Sequence, residues 1–515
     1  MNIEKFLGHH GINANPFAAE EASLDPVLDR MIDGTPMHPD YAKILGRLDK
    51  PSSAVVFGEK GSGKTAIRRM IERHIARHNQ AQEHDRVLLV PYDDLNPILD
   101  HMTRLYRGDE QAMLDHFGLA DHQDAILGRA VTRFLDALLA PDSENAADAP
   151  LPTDTWTRLR KTGRDQRADL LILAAYYDQP ASGSSAARFN TLRKRLRLGW
   201  KTPHQATLQA GILLLIAGAL LAIGSALELG NPIALVPATG VSLATGIALI
   251  ALWTWKRATL WTRCRHIAKE LRPIDRSVEE LMAMLGKVSP ADLARQPLTR
   301  KPLPIDGPKH ADDGRYRLTK RLIDALELLD YRGILVLMDR VDEPTVISGN
   351  PTRMRPLIWP IFDNKFFQQP GVGLKLLLPI ELRHLLFRES QEFFQEARLD
   401  KQGLVDRLSW TGATLYDLCS SRLRACQPSG GGGGTDFYLV NLFDEDVTTP
   451  MLVDALDQMH QPRDAFKFVY DVIQEHCRRV PEDEENFRIP RLTLDNARQR
   501  QAQRVQDLYR GLSPA

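Results

Sequence analysis

The sequence predicts an α/β protein with a parallel sheet of the phosphate-binding-loop type, an inserted two-helix apolar hairpin, and a helical C-terminal lid. Three observations predict it. A complete G-x-x-x-x-G-K-[ST] loop at 58–65 lies between an apolar run and an amphipathic stretch. Two later apolar runs, 333–338 and 373–379, lead into the acidic residues Asp339 and Glu381. From 202 to 255 the only formal charge is Glu228, counting His204 as neutral.

The first strand is expected at 53–57, Ser-Ala-Val-Val-Phe, a short apolar run that suits a strand buried on both faces. The loop Gly58-Glu59-Lys60-Gly61-Ser62-Gly63-Lys64-Thr65 follows, and Ala66 opens a helix to 79 with Ile67, Met70, Ile71 and Ile75 on one face. Strand, loop and helix occur in the order that this motif requires. The glycines let the backbone wrap a phosphate with its N–H groups inward. Lys64 is expected to neutralise the β- and γ-phosphates of ATP, and Thr65 to hold Mg²⁺.

A magnesium site needs a carboxylate as well. The strand at 333–338 ends on Asp339, the expected partner of the metal and its water. Asp339-Arg340-Val341-Asp342-Glu343 then sets three carboxylates at a strand's carboxyl end, where ligands bind in open α/β sheets. Hydrolysis also needs a group to orient or deprotonate water. Arg340 occupies the position next to the aspartate, so Glu343 or Asp342 must serve, with Glu343 favoured. The competing reading has both merely capping a turn at Pro344. Glu381 and Arg383 follow the strand at 373–379, where a phosphate sensor or a surface helix start would equally place them.

The apolar segment reads as a membrane hairpin. Residues 210–227 and 233–255 would span roughly 27 and 34 Å as helices, against a hydrocarbon core of roughly 30 Å. The connection 228–232 is a turn without Lys or Arg. Arg193, Lys194, Arg195, Arg197 and Lys201 precede the pair, and Lys256, Arg257, Arg263 and Arg265 follow it. That asymmetry puts both ends in the cytoplasm and the turn outside. Trp200, Trp253, Trp255 and Trp261 stand at the expected interfaces. Lipid is thus an expected partner through 208–255. Small residues in Gly218-x-x-x-Ala222 and Ser242-x-x-x-Gly246 suit close helix packing. A buried soluble hairpin is the alternative, but it needs neither the basic flanks nor the bare turn.

Composition narrows the rest. Basic and acidic residues balance at 66 each, so no global field points to nucleic acid. Charged residues make up 26% of the chain, an ordinary soluble content, so the membrane part is local. Residues 1–11 lack the apolar core of a secretory signal. Cys264, Cys419, Cys426 and Cys477 show no paired spacing and read as reduced structural thiols. His74 and His78 are one helical turn apart, but Arg73 and Arg77 beside them fit a solvated basic face better than a metal site.

The order of phosphate loop, apolar hairpin and acidic strand end resembles the KAP family of P-loop NTPases, and the Asp339–Glu343 run is similar to STAND and AAA+-related ATPases. Two further stretches carry the likeness: Asp406-Arg-Leu-Ser-Trp410 with Leu415, Leu418 and Arg422, and Gln461-Pro-Arg-Asp464 opening a helix at 465–477. The resemblance implies that Arg463 senses nucleotide from a lid helix and that Arg407 is an arginine finger. It also implies homo-oligomers, a bacterial inner-membrane location, and signalling roles that include defence against phage. Arg340 departs from it, since many such proteins carry an acidic residue there.

The expected layout is a lead-in at 1–52 and a first ATPase segment at 53–200 with a second strand at 86–91. The hairpin follows at 201–261. A second ATPase segment at 262–428 begins with a charged helix over 256–286 and has a helix at 318–329. A glycine linker at 429–434 precedes the lid at 435–515. Three functions compete: a nucleotide-dependent switch, which is favoured, a remodelling motor at the membrane, and a pore-forming effector. The trigger is not written in the sequence.

Overall fold

A computed structural model describes residues 1–18, 25–31, 38–141, 148–199, 203–227, 232–296, 298, 313–397, 399, 403–428, 437–481 and 484–509. The hairpin turn at 228–231, Trp200, Lys201 and the glycine run at 429–434 lie outside the described residues.

Five strands form one parallel α/β sheet: β1 (Ala54–Gly58), β2 (Arg86–Tyr92), β3 (Tyr331–Met338), β4 (Val372–Pro379) and β5 (Gly403–Val405), in the order β2-β3-β4-β1-β5. β1 runs parallel to both neighbours, with Val56 opposite Leu377 on β4 and Val405 on β5. Every residue of β1 and β4 is buried. This is why the sequence shows unbroken apolar runs there and no alternation. The strand order leaves β4 between β1 and β3, with Gly58 opposite Pro379.

The chain divides into two compact units, one of 1–82, 91–95 and 335–515, the other of 83–90 and 96–334. In the first unit, N-terminal and C-terminal segments share one apolar cluster. Phe6, Leu7, Ile12 and Phe17 are buried with Leu415, Leu423, Leu452, Phe468 and Val472. The lead-in and the last helices are therefore one body, which the sequence reading had separated. At Gly412 an added Cβ would stand 2.1 Å from the Val453 carbonyl, so the helices Gly412–Ala425 and Thr449–Asp457 meet backbone to backbone.

The second unit is helical around Leu119–Leu139 and Arg164–Tyr177. Its buried carboxylates are answered by cations: Asp124 accepts from Arg315 Nε at 2.9 Å and from the Tyr177 hydroxyl at 2.8 Å. Burial still pushes the Asp124 carboxyl up to about 6, against the pull of Arg315.

This unit carries the helices Pro203–Ala226 and Pro232–Glu270. Within them Ala206–Gly224 and Pro237–Glu270 are long and apolar enough to cross a membrane. Leu213, Leu220, Val241 and Ile247 point outward and are exposed. The inner faces pack through small residues. A Cβ at Gly218 would lie 2.8 Å from Leu243, and one at Gly246 would lie 2.9 Å from the Gly211 carbonyl. Ser242 Oγ donates to the Leu214 carbonyl at 2.8 Å. Gly218, Ser242 and Gly246 are thus interfacial, whereas Ala222 is exposed.

The charged helix expected over 256–286 is in fact two. The first ends at Glu270, and a second begins at Val278 behind an N-cap in which Ser277 Oγ accepts from Glu280 N. Pro273 cannot continue the backbone hydrogen bonding, and it separates them. The helix before β3 covers Asp313–Glu327, somewhat earlier than the expected 318–329.

Lys375 on β4 is fully buried, with Nζ donating to the Ser52 carbonyl at 2.7 Å. Burial pulls its amine down to about 7, from an ordinary 10.5. Between those values the unfolded chain holds a proton that the folded chain lacks, so this group's contribution to stability rises with pH. Below the folded value the penalty is complete. Lys375→Met should therefore raise the melting temperature most below pH 7, with the gain shrinking toward pH 10. A gain independent of pH would show that the amine does not titrate in the fold.

Candidate functional site

β1 ends on Gly58, and the chain turns through Glu59–Gly63 into the helix Lys64–Ala81. Gly61 and Gly63 both have φ of 94°, which side chains rarely adopt. At Gly58 a Cβ would stand 2.4 Å from Ser62 Oγ. Each glycine of the loop is therefore needed for its shape. The loop folds around the Lys64 side chain, whose Nζ donates to the Gly58 and Glu59 carbonyls at 2.8 and 3.0 Å. Burial lowers the Lys64 pKa, opposed by the fields of Asp339, Asp342, Glu381 and Glu59.

The ends of β1 and β3 meet through one hydrogen bond: Thr65 Oγ1 donates to Asp339 Oδ2 at 3.0 Å. Asp339 is only 1% exposed. Burial raises its carboxyl pKa, while Arg68, the Thr65 hydroxyl, the Arg340 backbone and Lys64 act the other way. Arg68 Nε lies 3.6 Å from the same oxygen and its guanidinium also pairs with Asp93, just past the end of β2. Arg68 and Asp93 were missed from the sequence. Arg68 is one helical turn beyond Lys64, and Asp93 follows a strand end, so both positions carried a faint signal.

Beyond Asp339 the chain turns sharply, with Arg340 at φ 58°. Arg340 Nε lies 3.6 Å from Glu343 Oε1, and Glu343 is exposed. Asp342 is half-buried, and its carbonyl accepts from Gly349 N at 2.9 Å. Asp339, Asp342, Glu343 and Glu381 all face a cleft of about 1060 Å³, together with Lys60, Gly61, Gly63, Lys64, Thr65 and Ala66. Arg383 is held elsewhere by two hydrogen bonds to Asp406, at 2.9 and 2.6 Å. Gly58, Glu59 and Ser62 do not line the cleft.

The opposite wall is the start of the helix Pro462–Arg479. Arg463 N donates to the Gly61 carbonyl at 3.4 Å, and Arg463 faces the cleft with Nε buried and without a partner among the described residues. Glu59 is bracketed by Arg407 Nη2, 2.6 Å from Oε1, and by Gln461 Nε2 on its other oxygen. Trp410 Nε1 donates to the Ser62 carbonyl at 2.8 Å. The two stretches singled out around 406–410 and 461–464 thus both dock on the glycine loop. Arg407 is tied to the loop of its own chain.

Thr65 and Asp339 suit a magnesium ion, which takes one or two protein oxygens and completes its shell with water and phosphate. Among the described residues no group of three or more His, Cys, Asp or Glu is placed to hold a metal. Such a magnesium site needs none. All four cysteines are buried free thiols. Comparison of the chain with protein-family models, curated proteins and solved structures finds no match.

Gly61 is the tightest test of this geometry. An added Cβ would lie 2.8 Å from Arg463 Cβ at a φ that disfavours any side chain. Gly61→Ala should destabilise the protein by roughly 1–3 kcal/mol, read by chemical denaturation. An unchanged midpoint would mean that the loop does not pack against the Pro462–Arg463 turn.

Proposed function

We propose that the chain is a membrane-anchored P-loop ATPase of the KAP-like kind, acting as a nucleotide-dependent switch. The observation that carries this reading is the Thr65–Asp339 hydrogen bond beside Lys64, at the meeting of two parallel strand ends. A hydroxyl and a buried carboxylate there, next to a glycine loop opening a helix, suit a magnesium-bound triphosphate.

In this reading Lys64 exchanges the Gly58 and Glu59 carbonyls for phosphate oxygens. The first-turn amides of the helix Lys64–Ala81 add partial positive charge. Thr65 and Asp339 hold magnesium, which supplies charge neutralisation to the phosphates. Arg463 reports the terminal phosphate to the C-terminal helices, which act as the lid. A carboxylate beyond Asp339 takes the proton of the attacking water, and Glu343 is assigned that role with Asp342 as its rival. The field of Asp342 acts on the Lys64 amine, whereas Glu343 lies exposed beside Arg340.

The hairpin anchors the chain with both ends in the cytoplasm. Anchoring is favoured over a pore because the spans carry few polar groups, and two of them are hydrogen-bonded within the hairpin. Ser242 bonds the Leu214 carbonyl, and Thr245 Oγ1 donates to the Val241 carbonyl at 2.7 Å.

ATP turnover by the detergent-purified protein is the direct test. Lys64→Ala should abolish turnover in a folded protein. Glu343→Gln should retain bound ATP and stop hydrolysis, because the amide keeps the shape and loses the base. If Asp342→Asn traps ATP and Glu343→Gln does not, the two roles are exchanged. Undiminished hydrolysis by Lys64→Ala would remove the assignment.

Topology is tested separately. A cysteine introduced at Asn231 should label from outside intact cells, and one at Ser184 should not. Equal labelling at both sites, or a full-length protein soluble without detergent, would contradict the anchor.

A further inference from the structure

The cleft does not end at the phosphate loop. It continues to a second region lined by Phe17, Leu28, Met31, Phe466 and Tyr470, with Arg422 among them. The helix Pro462–Arg479 connects the two. Arg463 lies against Gly61, and Phe466 and Tyr470 follow at about 4.5 and 10.5 Å along the axis at 1.5 Å per residue. A planar, largely apolar group joined to the phosphates through a ribose would reach this region.

Arg422 is 2% exposed and is fixed on three sides. Its Nε donates to the Pro16 carbonyl at 2.6 Å, and its Nη1 donates to Asp25 Oδ2 at 2.6 Å. Its guanidinium lies over the Phe466 ring, 4.5 Å from the centroid. The Asp25 carboxylate is itself anchored, with Oδ1 accepting from Val27 N at 2.9 Å and from Leu28 N at 3.3 Å. Only Nη2 has no hydrogen-bond partner among the described residues. A buried guanidinium with an unanswered N–H is costly unless an acceptor arrives. The Phe17 ring stands 6.0 Å from Phe466, so the acceptor would come into an aromatic setting.

The geometry points to Arg422 as a specificity-determining residue that reads the base of the nucleotide. Nη2 donates to an acceptor nitrogen on the edge of a purine ring packed beside Phe466. This inference rests on the reading of the cleft as a nucleotide site. It explains why Asp25 is fastened to the helix Gly412–Ala425 by a buried ion pair, since that pair holds the guanidinium in place. A donor-only group at this point selects bases that offer an acceptor and leaves the phosphates to the loop.

The test is equilibrium binding of ATP, of its 1-deaza, 3-deaza and 7-deaza analogues, and of inorganic tripolyphosphate to the full-length protein in detergent. In the wild-type protein one deaza analogue should bind about tenfold more weakly than ATP, the loss of one charge-assisted hydrogen bond. Arg422→Lys keeps the charge opposite Asp25 and loses the planar fork. In that variant ATP and the same analogue should bind alike. Arg422→Met gives a second reading if lysine re-forms the contact. Wild-type protein that binds all three analogues as well as ATP overturns the inference whatever the variants do. So does an Arg422→Met protein that keeps the wild-type ranking. Failure of the wild-type protein to bind either ATP or tripolyphosphate would instead overturn the nucleotide reading beneath it.

Discussion

The contact between Thr65 and Asp339 is the constraint on which the rest of the site depends. These residues are far apart in the chain and meet only because β4 is inserted between β1 and β3 in a parallel sheet. Asp339 is buried, and an ionised buried carboxylate is tolerated only with partners. Thr65, Arg68 and the Arg340 backbone provide them. Arg68 extends the arrangement to Asp93 at the end of β2. The carboxyl ends of three strands are therefore fixed relative to one helix, and the glycine loop has a rigid surface to stand on.

That loop is held from outside the sheet as well. Arg463 and Gln461 reach it from one helix start, and Arg407 and Trp410 from the segment after β5. All four contacts fall on Glu59, Gly61 or Ser62. A change in the loop would therefore be felt at once by the C-terminal helices. The same helices enclose Phe6 and Phe17 in their apolar cluster, so the N-terminal segment belongs to whatever moves with them. The second unit poses a different physical problem. Its long hairpin turns large aliphatic side chains outward, and so large an exposed apolar surface marks a place where a protein or a membrane would cover it.

Much of this was legible in the sequence. β1, β3 and β4 announce themselves as unbroken apolar runs, and the glycine spacing before Lys64 admits few other backbones. The two apolar helices follow from length and from the missing charges. β5 was not legible, because Gly403-Leu-Val is too short to rise above chance. The break after Glu270 was overlooked because charge periodicity continues on both sides of Pro273. Side-chain partnerships across the fold were hidden for a deeper reason. Arg68 with Asp93, Arg407 with Glu59, and Arg422 with Asp25 join residues whose proximity depends on the folded chain path, which local pattern does not encode. Likewise an apolar stripe such as Phe6 and Leu7 shows that burial is needed, and says nothing of which helices provide it.

The central claim is that Lys64, Thr65 and Asp339 form one site for a magnesium-bound nucleoside triphosphate. Calorimetric titration of the full-length protein with ATP, in magnesium and in chelator, tests it most directly. The account predicts saturable binding to one site per chain that weakens when magnesium is removed, with Thr65→Val eliminating the difference between the two conditions. Absence of saturable binding, or a magnesium dependence that Thr65→Val leaves intact, would contradict it.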